Sequence, residues 1–310
     1  MTDCQGTPDG VERREAGAPG GARDFPAGAM ALLRCPVCGS GLSSADRSLR
    51  CENGHNYDVA RQGYVNLLPG GARPGTADSA EMVAARDSFL TAGLFAGLRD
   101  FVSGVALQAA AGHAGGAEGC VLEVGAGTGY YLAAVLDRLP GRVGIALDIS
   151  KFAARRAARA HGRMAAVVCD AWNTLPVVDA SASLILDIFA PRNPPEFRRV
   201  LRPDGALIVV TPSPRHLQEL VAGLGLLKVD ARKPERLEQS LSDDFELSGR
   251  AEYEEKLRLT SAEVLALAAM GPSAHHLQAE ELAGRRAALG DVVEVTLSVV
   301  ASTRTPRAQD

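Results

Sequence analysis

One stretch limits the fold of this chain more than any other. It is Val121–Tyr131, which reads V-L-E-V-G-A-G-T-G-Y-Y. Val121 to Val124 is the apolar run of a short buried strand, with one carboxylate, Glu123, inside it. Gly125, Gly127 and Gly129 then alternate with Ala126 and Thr128, and helical spacing resumes from Tyr130 to Leu139. Glycine is required where a strand turns sharply into a helix and a ligand must approach the backbone closely. The G-x-G-x-G spacing is not the G-x-G-x-x-G of dinucleotide folds, whose third glycine permits helix–strand packing beside a pyrophosphate. An ordinary glycine-rich turn is the alternative to a ligand loop, and the residues downstream weigh against it.

From Gly119 strands and helices alternate, the pattern of a parallel sheet covered on both faces. Strands are expected at Val121–Val124, Val143–Asp148, Ala166–Cys169, Leu184–Ile188 and Ala206–Thr211. Helices are expected at Tyr130–Arg138, Lys151–His161 and Glu196–Val200. Asp148 ends the second strand, nineteen residues after Gly129, where a carboxylate can accept both ribose hydroxyls of an adenosine. Asp170 ends the third, where a side chain can meet an adenine edge. Each could equally cap a helix, but both fall at the C-terminal ends of strands, where ligands bind in open α/β sheets. The fourth strand runs into Asp187-Ile188-Phe189-Ala190-Pro191 on the same rim. Asp187 is a candidate base, although strand-end aspartates more often hydrogen-bond to local backbone; Phe189 and Pro191 are the other candidates for the reacting site. The fifth strand leads into T-P-S-P-R-H-L and places Arg215 and His216 at a helix start, a position suited to polar recognition. A helix-surface histidine is the plain alternative there. Two late strands, Glu252–Leu259 and Val292–Ala301, with a helix at Ala262–Met270, suit an antiparallel hairpin that completes a sheet of seven.

Upstream, residues 1–30 are rich in Gly, Ala, Pro and charge, with no apolar period, and read as a disordered extension containing Cys4. Then comes L-R-C-P-V-C-G-S-G-L followed by L-R-C-E-N-G-H. Cys35, Cys38, Cys51 and His55 form two close pairs of soft ligands, each on a turn with a glycine (Gly39, Gly54), as a tetrahedral zinc site requires. All four positions are filled by protein, so the metal is expected to be structural and to supply folding energy to a module with little apolar core. Cys120 and Cys169 sit at strand positions and read as core. A helical pattern covers Ser79–Phe101, on which Phe95 reads as a packing residue.

With 310 residues the chain can bury a sizeable core. It contains no apolar run of membrane-spanning length and opens with no charged-then-apolar segment, so a soluble, cytoplasmic protein is expected. A net charge of −4 argues against a broad nucleic-acid surface. The charge is uneven, however: Arg34, Arg47, Arg50, Arg61 and Arg73 outnumber Asp46, Glu52 and Asp58 around the cysteines, which allows a local basic face. Only four of 33 basic residues are lysine, which points to a GC-rich coding genome.

Glu123-x-Gly125-x-Gly127-x-Gly129 resembles the first motif of class I methyltransferases, which bind S-adenosylmethionine. Over about residues 31–310 the chain resembles one family, the bacterial 23S rRNA guanine-N1 methyltransferases, which include macrolide-resistance members from antibiotic producers. The residues that carry the resemblance are C-P-V-C…C-E-N-G-H, A-R-Q-G-Y-V-N-L-L, A-E-M-V-A-A-R-D-S-F-L-T-A-G, the glycine motif with Tyr130-Tyr131, I-F-A-P and T-P-S-P-R-H-L. The implied fold is α/β: a class I, Rossmann-like, seven-stranded methyltransferase domain over 116–310 with a small N-terminal zinc-binding module over 31–66, joined by a linker and helix over 67–115. The resemblance implies one S-adenosylmethionine and one structural zinc on Cys35, Cys38, Cys51 and His55. It adds Phe95, Gly127, Thr128 and His216 as cofactor contacts beside Glu123, Gly125, Gly129, Asp148 and Asp170; relatives can carry tyrosine in place of Phe95.

The implied substrate is a guanine in the hairpin 35 loop, in domain II of 23S rRNA, with the resistance-associated branch favoured by the composition. No membrane is implied, and a homodimer is compatible. Guanine N1 carries the central Watson–Crick donor, so the acceptor must lie in a loop or be flipped from the stack. Two rivals differ in class. A small-molecule methyltransferase acting on a quinone or natural product would not need the Cys35–His55 module. A catalytically inactive zinc-bearing rRNA-binding protein would not need Glu123, the three glycines and Asp148. The division at residue 66 predicts that Cys51→Ala, or deletion of 31–66, spares cofactor binding.

Overall fold

The computed structural model describes residues 23–71, 77–112, 119–224, 230, 232–271, 284 and 290–308, so Cys4, Arg73 and most of the expected extension lie outside the described residues. Residues 23–30 differ from that expectation. Phe25 and Ala29 are buried, the short helix α1 (Ala27–Met30) carries Ala29, and Arg23 donates to the Ala158 carbonyl at 3.2 Å. The apolar pair Phe25 and Ala29 has a place in the core that composition alone does not register.

The cysteine-bearing segment forms a small antiparallel sheet of β1 (Ser43–Ala45), β2 (Ser48–Arg50) and β3 (Asn56–Asp58). The next strand, β4 (Tyr64–Asn66), leaves that sheet and pairs in parallel with Ala166–Val168 of the large one. The seven expected strands therefore have an eighth beside them, and residue 66 ends an edge strand of the main sheet.

The helical pattern over Ser79–Phe101 is two helices, α2 (Ala80–Thr91) and α3 (Ala96–Ala111), bent by 85°. The Ser79 hydroxyl accepts from the Met82 amide at 3.2 Å and starts α2. Gly93, at φ +80°, ends it, and Phe95 becomes the N-cap of α3. Phe89, Leu90, Phe95 and Leu98 are all buried in one cluster, so the apolar pattern runs on across a break that it cannot reveal. No single helix among the described residues is long and apolar enough to cross a membrane.

The remaining elements alternate: β5 (Cys120–Val124), α4 (Tyr130–Arg138), β6 (Val143–Asp148), α5 (Lys151–Ala160), β7 (Met164–Val168), β8 (Ala182–Ile188), α6 (Pro194–Val200) and β9 (Leu201–Pro212). Then follow α7 (Gln218–Leu224), α8 (Lys233–Leu241), β10 (Phe245–Thr260), α9 (Ser261–Ala269) and β11 (Val292–Pro306). The sheet order is β10-β11-β9-β8-β5-β6-β7-β4, parallel from β9 to β4 and antiparallel in the β10–β11 hairpin. Chain order reverses at β5, which has β6 on one side and β8 on the other. That reversal opens a crevice at the carboxyl ends of the strands. On the outer strand β10, Glu252, Glu254, Lys256 and Arg258 face solvent, and a charged edge resists further strand pairing.

Two apolar clusters flank the sheet. One is built with α2, α3, α4, α5 and α9. The other joins Leu33, Leu49, Val65 and Leu67 of the cysteine-bearing segment to Leu122, Val124, Ile145 and Leu147 of the sheet. Leu33 bridges Val177, and Arg34 makes an ion pair with Asp179. The zinc-ligand segment thus covers one face of the sheet, and Arg34 is consumed in holding it there.

Candidate cofactor cavity and zinc centre

The three motif glycines all have left-handed backbone, with φ of +65°, +55° and +77° at Gly125, Gly127 and Gly129. Their surroundings differ. A Cβ on Gly125 would lie 2.6 Å from that of Ala190, and one on Gly129 would lie 2.8 Å from the Met164 sulfur. At Gly127 nothing lies closer than 3.5 Å, where the Arg86 guanidinium begins. Two of the glycines are therefore dictated by packing, and the third leaves open space above its backbone. That space belongs to a cavity of about 1030 Å³ over the strand ends, lined by Phe95, Glu123, Gly125, Gly127, Thr128, Asp148, Asp170, Phe189, Pro191 and His216 among others. Bare backbone at Gly127 beside two strand-end carboxylates fits the amino-acid tail and nucleoside of S-adenosylmethionine.

Asp148 braces the loop. One carboxylate oxygen accepts the Gly127 amide and the other the Ser150 amide, both at 2.8 Å. Burial raises its pKa, against the pull of those two amides. Glu123 lies under the loop, accepts the Leu132 amide at 3.1 Å, and is pushed well above the usual carboxylate range by burial. A further layer was not legible as site residues in the sequence. Arg86 pairs with Asp78 and donates to the Met270 carbonyl at 2.7 Å, while the Ser150 hydroxyl donates to the Asp78 carbonyl at 2.8 Å. These contacts seat the start of α2 over the glycine loop. The motif A-E-M-V-A-A-R-D-S-F contained the signal in Arg86, but its partners are distant in sequence.

The titration of Glu123 has a testable sign. Its folded pKa lies above its unfolded value of about 4.3, so between the two the folded protein keeps a proton that the unfolded chain has lost. Stability from this group is present below about pH 4.3 and is lost as pH rises through the folded value. Glu123→Gln keeps an acceptor for Leu132 and cannot ionise. The stability difference between variant and unsubstituted protein should shift in the variant's favour as pH rises, in denaturant melts across the pH range. A difference independent of pH would show that folding leaves the Glu123 pKa at its unfolded value.

On the opposite wall Phe95 is buried, edge-to-face with Phe89 at 5.0 Å and 85°, and also borders the cavity, so packing and ligand contact coincide there. Asp170 borders the cavity while its oxygens accept the Trp172 amide and the Asn173 side chain, each at 3.0 Å. His216 precedes α7, with Nδ1 3.0 Å from the Ser298 carbonyl and its ring 5.8 Å from that of Phe189. The Ser298 amide lies 3.4 Å from the same nitrogen, so Nδ1 either donates to the Ser298 carbonyl or accepts from its amide, according to the tautomer. Phe189 is 42% exposed and holds φ +55°, a strained conformation for a phenylalanine. Asp187 is not brought into this group. It is fully buried within β8, 3.4 Å from the Arg192 guanidinium, and the cavity wall begins one residue later at Ile188. The Arg192 guanidinium beside it lines the cavity.

The metal ligands meet as their spacing predicts. One donor atom each from Cys35, Cys38, Cys51 and His55 lies within 4.8 Å of the others. A tetrahedral zinc, with bonds of about 2.3 Å to sulfur and about 2.0 Å to nitrogen, needs donors roughly 3.5–3.8 Å apart. The observed separations are 3.7 Å for Cys38–Cys51, 3.5 Å for Cys35–His55 and 3.3 Å for Cys51–His55, the histidine using Nδ1. Gly39 and Gly54, at φ +75° and +82°, make the two turns that fold the ligands inward. The side chain of Asn53 and the amide of Ser40 lower the Cys38 thiol to about 5, which favours the thiolate a metal needs. The Tyr57 hydroxyl, 3.1 Å from the Cys35 sulfur, completes the surround, and nothing in the cysteine spacing signals it.

Comparison with known proteins matches two segments of the chain. A family model described as the RlmA N-terminal zinc ribbon matches residues 33–73, and a methyltransferase-domain model matches residues 121–205. Across 269 residues the chain is 51% identical to the 23S rRNA (guanine(748)-N(1))-methyltransferase of Streptomyces fradiae, covering 86% of this chain and 94% of that one. The chain belongs to the 23S rRNA guanine-N1 methyltransferases. A Micromonospora griseorubida protein assigned the same guanine-N1 chemistry is also 51% identical, over 86% of this chain and 95% of its own length. A Bacillus subtilis relative is 33% identical over 62% and 68% respectively. This guanine-N1 methyltransferase is accordingly an S-adenosylmethionine-dependent enzyme with a structural zinc ribbon, and the Cys35–His55 cluster is that ribbon's metal centre.

Proposed function

We propose that this enzyme methylates N1 of a guanine in the hairpin 35 loop of domain II of 23S rRNA, the guanine named in the Streptomyces fradiae relative. The observation that carries the reading is 51% identity along nearly the full length of that relative, zinc ribbon included. A small-molecule methyltransferase leaves the ribbon without a task. When bound, S-adenosylmethionine supplies the electrophilic methyl. The chain's own work is positioning: Gly127, Thr128, Asp148 and Asp170 hold the cofactor, and Phe189, Pro191 and His216 enclose a flipped base against it. The zinc ribbon, with exposed Arg50 and Arg61, holds the hairpin. A methyl on N1 adds bulk and removes a donor near the peptide tunnel, which supports a role in macrolide resistance.

Primer extension on rRNA treated with the protein and S-adenosylmethionine tests this, because N1 methylation blocks reverse transcription. A cofactor-dependent stop is expected at that guanine. A stop outside the hairpin loop, or none, overturns the reading. Phe189→Ala should lower the rate by about 5- to 150-fold with cofactor affinity unchanged, since a base–aromatic stack contributes about 1–3 kcal/mol.

A further inference from the structure

The chain has one tryptophan, and its ring is not in the core: Trp172 is 66% exposed, the most exposed large apolar side chain among the described residues. It stands at the mouth of the cofactor cavity. We infer that Trp172 is a base-stacking residue that positions the hairpin loop at the entrance to the active site. The inference rests on the proposed rRNA substrate.

Three observations carry it. First, the loop is rigid although the ring is free of the core. The Trp172 amide donates to Asp170 at 3.0 Å, and the Asn193 side chain donates to the carbonyls of Ala171 and Asn173 at 3.0 and 3.2 Å. A backbone fixed this firmly presents an exposed indole at little further entropic cost. Second, the loop joins the cavity to the zinc ribbon. A few residues on, the Arg34 amide donates to the Pro176 carbonyl at 3.1 Å and the Val178 amide donates to Leu32 at 2.9 Å. An RNA gripped by the ribbon and reaching into the cavity passes Trp172. Third, the walls of the cofactor cradle are closed, with Ala126 at 6%, Leu147 at 1% and Cys169 at 4% exposure. Sites for small ligands enclose them, so a ring this open faces the incoming macromolecule. A cavity of about 1030 Å³ is also at the top of the range of roughly 300–1,000 Å³ for a single small ligand, leaving room for a base beside the cofactor.

Being the only tryptophan, Trp172 reports on itself. With S-adenosylhomocysteine saturating, titration of the hairpin RNA into the full chain should quench the tryptophan fluorescence. A loop-less duplex of equal charge should not. Trp172→Ala should raise KM for the hairpin by about 5- to 150-fold, with cofactor affinity by calorimetry unchanged and Trp172→Phe largely restoring KM. Wild-type methylation of the hairpin with an unchanged KM in Trp172→Ala overturns the inference and leaves the proposed function standing. A variant that loses cofactor affinity instead identifies Trp172 as part of the cofactor wall and also overturns it. Absence of hairpin methylation by the wild-type protein overturns the proposed function itself.

Discussion

Removal of the zinc, by chelation or by Cys51→Ala, should unfold the protein in one transition and abolish cofactor binding with it. The apparent binding free energy of a structural zinc is about 10–16 kcal/mol at neutral pH. That is as large as the whole stability of an ordinary domain, about 5–15 kcal/mol. A detached ribbon could lose this and leave its neighbour folded. Here Leu33, Leu49, Val65 and Leu67 share one buried cluster with Leu122, Val124, Ile145 and Leu147, directly beneath the glycine loop. The ribbon also bridges Val177 and continues into the edge strand β4. Without metal, Cys35 and Cys51, both buried in that cluster, lose the bonds that fold their turns. The sheet face they cover then meets water. The measurement is a thermal melt followed by two probes, far-ultraviolet circular dichroism and cofactor binding, with and without chelator. Coincident transitions at a lower temperature are expected. A metal-free protein that retains its cofactor affinity would restore the picture of two independent units, with a break at residue 66.

How far the sequence shows this arrangement depends on the range of the contacts involved. The zinc ligands are legible because four soft donors fall within twenty-one residues, each pair on a turn with its own glycine. Asp148 is legible because a strand must end where the crevice opens. Arg86 is not, because the carbonyl it holds belongs to Met270, 184 residues away. Asp187 is half legible. Its place one residue before the end of a strand is as expected, since β8 ends at Ile188, but its burial beside Arg192, 3.4 Å away, is not visible in the sequence. The ribbon's shared core is hidden for a global reason: the module's few apolar residues, Leu33 and Leu49 among them, do not say in their spacing that a sheet face covers them. The bend between α2 and α3 is hidden in the same way, since Phe89 and Leu98 face one cluster from either side of it.

The second large effect is expected at Asp148. Asp148→Ala removes the acceptor of two buried backbone donors, Gly127 and Ser150. Each unsatisfied amide costs about 1–3 kcal/mol. Gly127 is the one motif glycine whose face is open to the cavity, so its displacement falls directly on the ligand. The carboxylate that would accept the ribose hydroxyls is lost as well. Cofactor affinity should fall at least 100-fold, about 2.7 kcal/mol. Stability should respond much less. Asp148 is a buried carboxylate whose pKa is raised because desolvation outweighs its hydrogen bonds, so its removal relieves a cost while it strands two amides. The two effects oppose each other in the free protein and add in the complex. Asp148→Asn separates them further: it keeps one oxygen for one amide and turns an NH2 group against the other. Its affinity should lie between those of Asp148→Ala and the unsubstituted protein. Calorimetry with S-adenosylhomocysteine and a thermal melt of each ligand-free variant provide the comparison. Equal affinities across the three proteins would remove Asp148 from the cofactor site, and a parallel loss of melting temperature and affinity would make its role one of folding.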